Sequence, residues 1–281
     1  AVRRRLATLT VAARALASSA AVAGRRFDFA LLQALTQTDE RELLALVKEL
    51  IAAQLVVEES AERFAFRHAL TREAIYADLL ARERVALHRD VAAALERTHE
   101  GRLDEVVEAL AYHAWEAGEW ERSARYSARA GQHAMSLSAP REAVAHLDRA
   151  FQASERAGIP VSVELRLARG WANETLAEFE RANEDFTIAL ERARTTDDHR
   201  CAWEALHALG LLWAARDYAR AGEYRRDALA LARVIGDSPV EYLTTDALRT
   251  AALTLGESLL LDPPPARACV DRALNDGCAR T

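Results

Sequence analysis

The sequence predicts a mainly α-helical chain, with a small hairpin-bearing segment near its start and a stacked array of helical hairpins after it. Three observations predict this. Hydrophobic residues make up 51% of the 281, but they are mostly Ala and Leu, and aromatics are only 6%. That composition favours helices packed through small residues over extensive sheet. The apolar spacing turns from helical to alternating in one region, between Leu55 and Arg67, and is helical again from Thr71. Finally, alanine pairs seven residues apart recur along the second half of the chain.

Taking the elements in order, Leu6, Leu9, Val11, Ala12, Leu16 and Ala17 form an uneven apolar stripe. It predicts one helix ending near Gly24. Asp28 is placed to cap a second, with Phe29, Leu31, Leu32 and Leu35 as its apolar positions, and Thr38 or Asp39 a third. In the third helix Leu43, Leu44, Leu46, Val47, Leu50 and Ile51 recur at helical spacing. Leu55–Glu59 and Arg63–Arg67 are then short β-prone runs about Ser60-Ala61-Glu62, a hairpin with Phe64 and Phe66 on one face. Three helices followed by a hairpin is the order of a winged-helix domain, here residues 1–70.

Such a domain invites a DNA-binding reading, in which the third helix would enter the groove. Residues 39–54 instead carry Asp39, Glu40, Glu42 and Glu49 against Arg41 and Lys48, and the hairpin tip holds Glu58, Glu59 and Glu62. A polyphosphate partner needs a basic face, so this domain is expected to pack against protein.

Residues 71–100 read as a connecting helical segment, with Ala74, Ile75, Leu79, Leu80, Val85, Leu87, Val91, Ala94 and Leu95 apolar. The spacing leaves open whether it is one bent helix or two. Gly101 ends it, and two more helices follow on either side of Gly118. The repeat then emerges as Ala143/Ala150, Ala182/Ala189, Ala221/Ala228 and Ala266/Ala273, with periods of 39, 39 and 45 residues. Each pair shares one helix face, and between its members stand Leu147, Phe186, Arg225 and Val270. Gly131 and Gly170 precede the first two pairs by twelve residues, while Leu209 and Thr254 stand there in the next two. Pro140, Pro160 and Pro239 suit first turns of helices, Pro263–Pro265 precede the last one, and Gly236-Asp237-Ser238-Pro239 marks a stop and restart. Helical hairpins of this kind share a continuous core with their neighbours and curve into a superhelix.

The net charge of −6 is unevenly spread. Residues 1–26 hold six Arg and no acid, leaving 31 basic against 43 acidic side chains in the rest. The three cysteines, Cys201, Cys269 and Cys278, are odd in number and widely spaced, which fits a reducing compartment. The N-terminal stretch has a basic start and an apolar run, but Arg14 interrupts that run. It is therefore read as an amphipathic helix and not as an export signal. No window supplies the ~20 apolar residues a membrane span needs, so a cytoplasmic fragment with no membrane partner is expected.

Two resemblances refine this reading. The Ala143/Ala150 and Ala182/Ala189 pairs, with Gly131 and Gly170, resemble the small positions of tetratricopeptide repeats, in the longer-repeat form of bacterial activators of the maltose-regulator type. A tetratricopeptide-like array is thereby implied for residues 101–281. The run Phe64–Glu96, FAFRHALTREAIYADLLARERVALHRDVAAALE, resembles the segment after the nucleotide-binding core of bacterial signal-transduction ATPases with numerous domains (STAND proteins), many of them LuxR-type regulators. In that class a winged helix closes over ADP, and a histidine at the end of its hairpin can touch the β-phosphate. His68 and Leu70 fit the family's Met-His-Asp-Leu pattern, whereas Arg67 and Ala69 stand where it has Met and Asp. The resemblance implies ADP-phosphate sensing by His68, with Arg67 and Arg72 as lesser candidates. A ring N–H suits this task because it donates to a phosphate oxygen and loses that bond when the domain swings away.

The chemistry of hydrolysis is not in the sequence. Its one lysine, Lys48, follows Val47, which excludes a GxxxxGK[ST] loop, and GxGxxG, GxSxG and HExxH are also missing. The eight histidines show no ligand spacing with the cysteines. The chain itself is expected to be no enzyme and to hold no metal. ATP or ADP with magnesium would bind a nucleotide-binding domain linked in cis but outside this chain. DNA would be reached only through a further domain. An inducer or protein partner is expected on the helical repeats. Two alternatives stay open: a free-standing tetratricopeptide scaffold that binds peptides, and the same region of an adenylate-cyclase-linked ATPase.

Overall fold

The computed structural model describes residues 2–236. Thr254, the Ala266/Ala273 pair, Asp237 to Pro239, Pro263 to Pro265, Cys269 and Cys278 lie outside the described residues. The described residues divide into two compact units, one formed by residues 2–136 with Ala145–Pro160, the other by Leu137–Val144 with residues 161–236. Thirteen α-helices and one small sheet make up the described part, and none of those helices is long and apolar enough to cross a membrane.

In the first unit the N-terminal stretch forms two helices where one was expected, α1 (Val2–Ala7) and α2 (Val11–Ala23). Thr10 makes the break. Its hydroxyl oxygen accepts from the Ala13 amide at 3.2 Å, while its own hydroxyl donates to Glu49 at 2.8 Å. A capped restart shifts the helical phase. Leu9, Ala13, Leu16, Ala17 and Ala20 are therefore buried, and Val11, expected on the stripe, is 82% exposed.

A strand that the sequence did not announce, β1 (Arg26–Asp28), leads into α3 (Phe29–Thr36). Asp28 occupies the cap position of α3 without a capping bond and pairs with Arg63 at 3.4 Å. Asp39 does cap α4 (Glu40–Ala52), accepting from the Glu42 amide at 2.9 Å. The hairpin is β2 (Val56–Ser60) and β3 (Arg63–Phe66), and the antiparallel order β1-β3-β2 puts β3 in the centre. Phe64 and Phe66 both meet Phe27, stacked at 6.4 Å and edge-on at 5.6 Å. They complete a core with Leu16, Leu32, Leu50 and Ile75.

The segment after the hairpin is two helices, α5 (Ala69–Asp78) and α6 (Ala81–Thr98). The backbone is extended at Leu79 and Leu80, and Glu83 accepts from the Leu80 amide at 2.7 Å. Leu80, counted among the apolar positions, is 70% exposed because it lies in this break. A 3₁₀ turn (Leu103–Val106) then precedes α7 (Val107–Glu116) and α8 (Trp120–Ser136), with Gly118 left-handed between them at φ 69°. A second core joins Val91 and Leu95 of α6, Leu110 and Ala114 of α7, and Tyr126 and Ala130 of α8. Pro140 opens α9 (Pro140–Ala157).

The second unit holds α10 (Val163–Thr175), α11 (Phe179–Thr195), α12 (His199–Trp213) and α13 (Tyr218–Ile235). Ser162 caps α10, accepting from the Leu165 amide at 3.2 Å, so Pro160 precedes the cap and is not in the first turn as expected. Each of these helices packs on the next, and α10 also reaches α12, the contact made by stacked helical hairpins. Ala182, Ala189, Ala221 and Ala228 are fully buried. Gly170 is needed by the packing: a Cβ there would meet three carbons of the Phe186 ring at 3.0 Å or less. In the next hairpin the glycine has moved by one position. Leu209 fills the expected site, and Gly210 lies against the Arg225 side chain.

Candidate functional site

The hairpin delivers the seam residues to the surface. The Phe66 side chain is buried and the Arg67 amide donates to the Leu55 carbonyl at 3.0 Å, so the backbone stays tied to the sheet up to this point. His68 follows in extended conformation at the N-cap position of α5, with no side-chain capping bond, and its carbonyl accepts from the Thr71 amide at 3.0 Å. The side chains of Arg67 and His68 are exposed, and Leu70 beside them is 74% exposed. Arg72 goes elsewhere. Its Nε donates to the Ala21 carbonyl of α2 at 2.8 Å, and its guanidinium lies 5.6 Å from the Tyr76 ring centre. Of the three candidate phosphate contacts, then, Arg67 and His68 face solvent while Arg72 is engaged in helix packing.

Arg72 leads inward to a group of residues that sequence reasoning missed. His88 of α6 and His113 of α7 are both buried, and their Nδ1 atoms are 2.8 Å apart. The Tyr76 hydroxyl lies 3.0 Å from His88 Nε2, and the Tyr112 ring stands edge-on to both imidazoles. A ring nitrogen bonded to another ring nitrogen needs one proton between them, so one of the two Nδ1 atoms is bare. Burial, helped by the positive charges of Arg72 and Arg84, pushes His88 down to about 4. Burial, helped by His88 and Arg72, pushes His113 down to about 3. Both are therefore neutral at physiological pH. His88 and His113 are 25 residues apart on different helices, and no local pattern connects them.

The second unit offers one group with metal-ligand chemistry among the described residues: Glu164, Asp198 and Cys201, whose donor atoms lie within 4.8 Å of one another. Its parts have other tasks. Asp198 caps α12, accepting from the Cys201 amide at 3.0 Å. The Cys201 thiol is pushed up to about 12 by burial and by the neighbouring carboxylates, so it is a protonated, weak ligand. An open cleft of about 480 Å³ on α12 and α13 is lined by Arg194, Leu206, Asp227 and Leu231 among others. Arg194 and Asp227 pair across it at 3.5 Å, so its charge selects no ligand class.

The tryptophans are packing residues. Trp115 meets Trp120 edge-on, Trp171 meets Phe186, Trp203 stacks on His207, and Trp213 meets Phe179.

No protein-family model matches the chain, and no curated protein matches it. Among solved structures, the chain is similar to a STAND protein with a tetratricopeptide repeat sensor from Pyrococcus horikoshii, at 12% identity and a TM-score of 0.42. The match covers 89% of this chain and 48% of that one, so the chain spans about half its length. It is also similar to BtubC (BKLC) from P. vanneervenii, at 18% identity and a TM-score of 0.40, covering 99% of this chain and 92% of the other.

Proposed function

We propose that this chain is the regulatory and sensor part of a STAND-type ATPase of the LuxR-like, transcription-regulating kind. In this reading the hairpin-bearing segment is a winged helix that helps to hold the ADP-bound resting state, and the helical repeats receive an inducer or protein partner. The observation that carries it is the exposed His68 at the exit of β3, with Arg67 beside it. A histidine that senses a phosphate on another domain has to stand clear of its own fold at a place where the backbone is fixed. His68 meets both conditions, since the sheet holds the chain before it and α5 begins after it. Binding of the inducer would then have to favour the open over the closed arrangement, because a ligand shifts an equilibrium only by its differential affinity.

The test uses the full-length protein. His68→Ala should speed ADP release by about tenfold or more, the scale of one hydrogen bond to a charged group, and should raise basal activity. Unchanged ADP release would overturn the reading. The adjoining coding sequence gives an independent check, with a GxxxxGK[ST] loop expected upstream and a helix-turn-helix downstream.

A further inference from the structure

The imidazole pair between α6 and α7 is not used by the nucleotide reading, and its geometry has a consequence of its own. Both side chains are buried, on helices whose neighbouring positions Val91 of α6 and Leu110 and Ala114 of α7 belong to the second core. With the two Nδ1 atoms at 2.8 Å, the closed contact has no room for a proton on both.

Burial, and after it the charges of Arg72 and Arg84, oppose even the first extra proton. From α5, Arg72 and Tyr76 face the pair, and from α6, Arg84; α7 adds Tyr112, with Glu116 acting on that phenol. The one ionisable side chain of α2, Arg14, is at its far end on the Leu9 carbonyl, and α3 has none. From α8, Arg122 and Tyr126 are held by Glu96, two turns farther along α6, and Arg125 lies over the Tyr126 ring. Arg129 pairs with Asp104 of the 3₁₀ turn, Arg102 with Glu105, and Glu119 with Arg89 and Arg122. Neither imidazole has a carboxylate bonded to it among the described residues.

We infer that the α6–α7 contact is a proton-linked joint: opening it between His88 and His113 takes up protons that the closed form excludes. Mild acid therefore loosens the connection between the hairpin-bearing segment and the helices that follow it. The sign follows from the direction of the shifts. A histidine depressed in the closed form and ordinary, at about 6.5, in the open form stabilises the closed form only while both are neutral. That stability falls as pH drops below about 6.5. From pH 7.5 to 5.5 a free imidazole gains about tenfold in proton-bound weight, and two give about 100-fold. This inference is independent of the nucleotide reading, and so is its test.

The experiment is backbone hydrogen exchange of this chain at pH 7.5 and 5.5, each rate corrected for the intrinsic pH effect. Opening of α6 and α7 is expected to rise about 100-fold, while α10 and α11, which contain no histidine, stay constant. In His113→Asn, one imidazole remains and the rise should shrink to about tenfold. Protection of α6 and α7 that does not change with pH overturns the joint, as does an equal loss over α10 and α11. A 100-fold rise retained in His113→Asn also overturns it. Should that variant fail to fold, the wild-type comparison decides by itself.

Discussion

Phe186→Ala is expected to destabilise the second unit by about 3–5 kcal/mol, the usual cost of deleting a buried aromatic. The ring is fully buried on α11 between the buried pair Ala182 and Ala189, and it packs edge-on to Trp171 at 5.2 Å. Little around it is free to collapse into the hole. Gly170→Ala supplies the complementary case. Its methyl would press on the Phe186 ring and should cost about 1–3 kcal/mol through overpacking. Because the two changes act on one space in opposite directions, the double variant should lose less than the sum of the single ones. Urea midpoints at constant slope would measure each value. Strict additivity would show that Gly170 is not there to make room for the ring.

The second large effect is expected one position before Phe186. Asp185 is 1% exposed and receives both Nε and an Nη of Arg169 at 2.8 Å, with Arg166 3.6 Å away. Burial, together with the charges of Arg192 and Arg169, already pushes the Arg166 guanidinium below its ordinary value, although Asp185 works against that. Asp185→Ala leaves these cations facing each other without their shared anion. Breaking a buried pair in this way costs about 3–5 kcal/mol. The low end is expected, since the Arg169 side chain keeps 22% of its surface in water and can turn outward. Thermal unfolding of Asp185→Ala beside Asp185→Asn would separate charge from shape. A loss below about 1 kcal/mol for the alanine variant would show that the arginines do not depend on Asp185.

Much of the fold was legible because its signals are local. Asp39 caps a helix, and Gly118 and Gly236 end theirs in left-handed conformation. The alanine pairs mark buried faces through to Ala228. The missed features are those settled by tertiary contact. β1 has three residues, too few to show a period, and forms only because β3 lies beside it. The N-terminal apolar run looked continuous because Thr10 becomes a cap only when Glu49 holds it from α4. Helices α5 and α6 share one apolar spacing, so the break at Leu79 and Leu80 had no signal of its own. For the candidate site, His68 and Arg67 were visible through a motif. The inward course of Arg72 and the His88–His113 pair depend on helices that meet only after folding.

The place of β1 in the sheet also bears on how the chain can fail. Its residues pair with β3 from Arg26 opposite Ala65 to Asp28 opposite Arg63, and bonds from Phe66 to Arg25 and from Phe29 to Glu62 extend the ladder. The central strand thus has both edges covered, one by its hairpin neighbour and one by a segment from some 37 residues upstream. A chain cut back past Asp28, or a nascent one whose first helices have not yet docked, would show β3 with a bare edge next to Phe64 and Phe66. Unpaired edges next to aromatic residues are templates for strand addition between molecules. Versions of this protein cut back past Asp28 are accordingly expected to self-associate more than versions that keep Arg26 to Asp28, a difference light scattering would measure.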